Sequence, residues 1–110
     1  MKKLINWNEI SGQADAKATA AAVLPMQPGL EQGERFWVVA ARAVLAEILV
    51  ELVKNRQGDD AALEGILNLS VPELLERLPA KSEAASFLGG GGSKQGLIVI
   101  GTIANKFFEE

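Results

Sequence analysis

Residues 87–108 read FLGGGGSKQGLIVIGTIANKFF, and the reading of Leu97–Ile103 within them decides the fold. By local propensity LIVIGTI is a strand, because β-branched residues suit a pleated, half-buried surface. Two observations make it a helix. The run lacks the apolar–polar alternation of a half-buried strand, and no second segment offers a strand to pair with it. Leu97, Ile100, Ala104, Phe107 and Phe108 also recur at helical spacing. The expectation is a helix over about 93–108, capped by Ser93 and buried on most sides. Gly96 and Gly101 would then permit close approach of neighbouring helices.

The glycines ahead of that helix raise a second question. A phosphate-cradling loop needs G-x-x-x-x-G-K-[ST] between a strand and a helix. Here Ser93 precedes Lys94, no hydroxyl follows the lysine to hold magnesium, and the upstream SEAASFL looks helical. A loop between helices is the preferred reading of Gly89–Lys94. A small helical nucleotide-binding protein using that loop is the alternative. GGGGS also matches a common engineered linker.

Upstream, residues 34–56, ERFWVVAARAVLAEILVELVKNR, form the strongest element, about six helical turns long. Glu34 at its start and Lys54 and Arg56 at its end suit the helix dipole. Its polar residues make no single stripe, so it is expected to be the buried spine of a helical domain. Before it, ADAKATAAAVL is an alanine-rich helix closed by Pro25, and PMQPGLEQG is a loop. Trp7 and Ile10 should dock the N-terminal lead-in onto the core.

After it, DAALEGILNL is a short helix with Leu63, Ile66 and Leu67 on one face. Asp59 and Asp60 begin it as cap and first-turn acid. SVPELLERL is capped by Ser70 with Glu73 completing a capping box, and Pro72 lies in the first turn, where its missing N–H is harmless. SEAASFL is a further short helix capped by Ser82. The fold expected is all-α: one domain over residues 1–110, a bundle of five to six helices around the long central helix and the C-terminal one.

Composition limits the chemistry. The 110 residues contain no cysteine and no histidine, which removes disulfides, thiol catalysis, Cys/His zinc sites and imidazole proton shuttles. Glu47 and Glu51 share a helix face, but no Glu-x-x-His accompanies them, so they are read as solvated charge beside Lys54. No catalytic residue, no metal and no cofactor is expected. The formal charge is −3, whereas a domain that binds nucleic acid strongly by itself is normally basic. A local patch can still act against the global sign. Arg35 and Arg42 sit on an otherwise apolar helix, and Lys94 and Lys106 flank the terminal one. Together these four are the candidate basic face for phosphate or an acidic partner, beside the blander reading of ordinary solvated charge. The apolar stretch Phe36–Val53 carries Arg42, Glu47 and Glu51, too much charge for a membrane span. MKKL lacks the apolar stretch of a signal peptide.

The order NW…I, an alanine-rich helix ending VLP, and then GERFWVVAARAVLAEIL resembles the all-α domain of TraD-like coupling proteins of type IV secretion (conjugative DNA transfer) systems. The part carrying most of the likeness is RFWVVAARAVLAEI, with the aromatic pair Phe36-Trp37 and the Ala41-Arg42 dipeptide. The later LLERLPAKSEAASFL…SKQGLIVIGTIANKFF is similar to the family's short leucine-rich helices and long terminal helix. The resemblance implies a non-catalytic domain excised from a hexameric, membrane-anchored ATPase, in which it is inserted in the motor and caps its cytoplasmic mouth. The implied location is cytoplasmic, at the inner membrane of a bacterium but without direct membrane contact. The implied partners are a relaxase or other relaxosome protein, the rest of the coupling protein, and single-stranded DNA bound weakly. A domain serving only oligomer packing is a further alternative.

Overall fold

Helix α2 (Gln32–Lys54) is the element on which the others assemble. The structure, a computed structural model, describes residues 2–79, 81–89 and 94–108. Among these residues it is all-helical: a 3-10 turn at Trp7–Glu9, then α1 (Gln13–Val23), α2, α3 (Asp60–Leu67), α4 (Val71–Arg77), α5 (Glu83–Phe87) and α6 (Lys94–Phe108). No strand occurs among them, and LIVIGTI is helical throughout. A helix pairs its backbone groups within its own run, which a lone strand could not do. No described helix is long and apolar enough to cross a membrane.

The long helix begins and ends two residues earlier than the sequence reading of 34–56. Its C-terminus explains the shift. Arg56 adopts the left-handed conformation (φ 59°). The Arg56 and Gln57 amides donate back to the carbonyls of Val53 and Leu52 at 3.1 and 2.7 Å. That is a Schellman ending with arginine where glycine is usual. The helix is also buried unevenly. From Ala40 to Leu52 it supplies the centre of the core, with Ala40, Ala41, Val44, Leu45, Ile48 and Leu49 almost entirely buried. Its first two turns stand in water, with Phe36 and Val39 exposed. The expected spine is therefore buried only in its later turns, because the neighbouring helices cover those turns and Phe87 of α5 covers the start only in part.

The short helices begin where their caps dictate. Asp59 accepts from the Ala62 amide at 2.7 Å and caps α3. Ser70 and Glu73 form the reciprocal capping box of α4, and Ser82 accepts from the Ala85 amide to cap α5. Gly89 (φ 69°) follows α5 in the left-handed conformation, so the first of the four glycines stops a helix. The proposed Ser93 cap and the remaining glycines lie outside the described residues. What precedes the glycines is α5, not the strand a phosphate loop requires.

Helix α6 buries one face only, formed by Gly96, Val99, Ile103 and Phe107. Leu97 (65% exposed) and Phe108 (41%) point to solvent, which corrects the expectation that α6 is buried on most sides. The helical spacing holds and Phe107 is buried as expected, but Ile100 and Ala104 are only half-buried. Gly96 is the close-approach glycine: a Cβ there would lie 2.7 Å from the Leu88 carbonyl oxygen and 2.9 Å from Val71 Cγ1. Gly101 has no neighbouring element within 4 Å of its would-be Cβ, so it does not serve the close approach expected of it.

The N-terminal segment closes the bundle. The Lys2 amide donates to the Phe107 carbonyl at 2.7 Å. Trp7 is half-buried and its Nε1 donates to Asp60 Oδ1 at 3.0 Å, while Ile10 is buried, as the sequence led us to expect.

Candidate functional site

The four cations singled out from sequence do not form one patch. Arg35 and Arg42 lie seven residues apart on one side of α2, about 10 Å along its axis. Lys94 and Lys106 stand at opposite ends of α6, about 18 Å apart and about 120° apart around the helix. Gln95, beside Lys94, donates through Nε2 to the Phe87 carbonyl at 2.7 Å. The Phe87 ring in turn meets Phe36, beside Arg35. Lys94 and Arg35 thus belong to the same end of the bundle. Lys106 lies at the other end, next to the Phe107 carbonyl that receives the Lys2 amide.

Arg42 has a structural task. Its Nε donates to the Leu24 carbonyl at 2.7 Å. Leu24 caps α1, so the guanidinium satisfies an orphan carbonyl at a helix C-terminus and complements the dipole there. This bond ties the end of α1 to the middle of α2 and keeps the half-buried Arg42 at the surface between them.

Along that surface runs a groove of about 250 Å³ lined by Lys17, Ala21, Val39, Arg42, Ala43 and Glu83. Its floor is α2, with α1 on one side and α5 on the other. Phe36, Val39 and Ala43 recur at i, i+3 and i+7, so the floor continues to Phe36 as one apolar stripe. Phe36 is 41% exposed and Val39 45%. The Phe36 ring meets Trp37 at 5.0 Å and 74°, and Phe87 at 5.8 Å and 66°. Both are edge-to-face contacts, which hold the ring in place without a parallel ring covering its face.

Charge along the stripe changes sign. Glu34 and Arg35 lie at its start, and Arg42 and Lys17 flank Val39 and Ala43, with Glu83 on the α5 wall. One turn beyond Ala43 comes Glu47, whose carboxyl is pushed up from its ordinary pKa by partial burial and by Glu51, with Lys54 and Lys17 opposing. Among the described residues no carboxylate is paired with Arg35 or Arg42.

Sequence reading found Arg35 and Arg42 but missed Lys17 and the exposed ring of Phe36. Lys17 carried a signal, being the lone cation of an alanine-rich helix. Phe36 carried none, because a helix that is apolar all round does not say which turns its neighbours leave bare. Among the described residues no group of three or more carboxylates could hold a metal ion.

A family model, the type IV secretion-system coupling protein DNA-binding domain, matches residues 4–98. The match runs from the N-terminal segment through α1 to α5 and into α6, and so includes every residue of the groove. No curated protein and no solved structure matches the chain.

Proposed function

The chain belongs to the family of type IV secretion-system coupling protein DNA-binding domains, and from that premise we propose that it is a non-catalytic substrate-recognition domain. In this reading it contacts relaxosome proteins, a relaxase among them, and binds single-stranded DNA weakly. It works within the cytoplasmic part of a larger, membrane-anchored coupling ATPase. Arg35 and Arg42 are the cations we assign to the contact face, with Lys94 at the same end of the bundle and Lys106 remote from it.

The observation that carries this proposal is the family match across residues 4–98. A second supports insertion into a motor domain. Lys2 and Phe107 are joined by a backbone hydrogen bond, so the chain enters and leaves the domain at one edge, as an inserted domain must. The net charge of −3 makes affinity for DNA modest and dependent on low salt.

Fluorescence anisotropy of a labelled single-stranded oligonucleotide, titrated with the domain at low ionic strength, tests the DNA half. A rise in anisotropy that salt reverses is the expected result. A flat signal into the high micromolar range refutes DNA binding by the isolated domain.

A further inference from the structure

We propose that the stripe Phe36–Val39–Ala43 on α2 is a track for single-stranded DNA. An unpaired base stacks on Phe36, while phosphates are held by Arg35, Arg42 and Lys17. The inference rests on the DNA-binding reading above and goes further by assigning base stacking to Phe36 and phosphate contacts to a set of cations that includes Lys17.

Three observations favour this occupant. The ring of Phe36 is fixed by two edge-to-face neighbours and remains 41% exposed, the state of a stacking platform that needs no reordering to receive a base. Arg35 adjoins Phe36 in the chain, and Lys17 and Arg42 line the groove beyond it with one carboxylate, Glu83, so the groove carries a small positive excess on a chain whose total charge is −3. Arg42 is fixed at one nitrogen by the Leu24 carbonyl and is itself part of the groove lining. The track is short. Glu47 and Glu51 end it one turn beyond Ala43, so it covers about 10 Å of α2. A short, cation-lined platform suits a flexible strand with bases free to turn outward. A duplex hides its base faces and gains nothing from Phe36.

The test uses a labelled oligothymidylate of about ten nucleotides and an abasic strand of the same length and charge. Phe36→Ala should weaken binding to oligothymidylate by about 5- to 100-fold. Phe36→Trp should keep it. Neither should alter binding of the abasic strand or of duplex, and circular dichroism checks that both variants stay helical. Arg35→Ala and Lys17→Ala should each flatten the slope of log affinity against log salt by about 0.7. If the wild type binds and Phe36→Ala binds equally well, the track is refuted while the DNA-binding reading stands, and the stripe is a protein-facing surface. Equal loss on the abasic strand refutes stacking. Absence of any binding by the wild type overturns both.

Discussion

One substitution made at two places on α6 should give opposite results. Gly96 and Gly101 are both helical, and Gly→Ala in a helix interior ordinarily stabilises by up to about 1 kcal/mol. At Gly101 the new methyl meets no neighbouring element within 4 Å, so this gain should be realised nearly in full. At Gly96 it lands 2.7 Å from the Leu88 carbonyl oxygen and 2.9 Å from Val71 Cγ1. Val71 could turn, but the carbonyl belongs to the backbone that ends α5 and cannot. Relief requires α6 to move from α5 and α4, which loosens the packing of Val99 and Ile103 behind it. Overpacking of this kind costs about 1–3 kcal/mol. Gly96 lies in the first turn, where propensity counts for less, so the net loss should be about 1–2 kcal/mol. In a domain of this size that lowers Tm by roughly 5–10 °C. Urea denaturation followed by far-UV circular dichroism, with both variants beside the wild type, measures the difference. If Gly96→Ala matches or exceeds wild-type stability, the close packing of α6 against Leu88 and Val71 is wrong. If Gly101→Ala is the damaging one, the facing of the whole helix is wrong.

Two further substitutions probe α2. The folded state holds the Glu47 proton to higher pH than the unfolded chain does, since burial and Glu51 both disfavour the carboxylate. The Glu47 contribution to stability therefore falls as pH rises from about 4.3, the ordinary glutamate value, through the raised folded one, and stays lower above it. Glu47→Gln should be more stable than wild type at neutral pH and indistinguishable from it below pH of about 4, which denaturant midpoints across pH would reveal. Arg56 occupies a left-handed position that costs an L-residue about 1–2 kcal/mol. Arg56→Gly removes that strain against about 0.5–1 kcal/mol of added unfolded-chain freedom. A small net gain in Tm is expected, and a loss would mean that the arginine side chain holds the turn.

Helix identity and helix ends were legible because their causes are local. Asp59, Ser70 with Glu73, and Ser82 cap the helices they were read to cap, each bonding an amide three residues on. LIVIGTI was recovered as a helix only by asking what a strand there would pair with. Facing was less legible. Leu97 and Phe108 were placed inside and are outside, because Gly96, Val99, Ile103 and Phe107 give an equally periodic face. On a helix with so many apolar positions, several faces satisfy the same spacing, and only the neighbours choose among them.

The same limit governed the surface. Arg35 and Arg42 could be picked out as cations on an apolar helix, since charge is written in the residue. Lys17 could join them only when α1 folded back along α2 and Arg42 bonded the Leu24 carbonyl, a contact eighteen residues away in the chain. Lys106 was grouped with Lys94 by their shared helix, yet twelve residues of rise separate them. The sequence by itself determined the all-α class, the caps, the poverty of catalytic groups and, through RFWVVAARAVLAEI, the family. Tertiary structure alone decided which glycine is packed, which turns of α2 stay bare, and that Phe36 meets water above a groove lined by Lys17 and Arg42. Local hydrogen bonding and propensity act within a few residues, whereas burial depends on which distant segment arrives to cover a face.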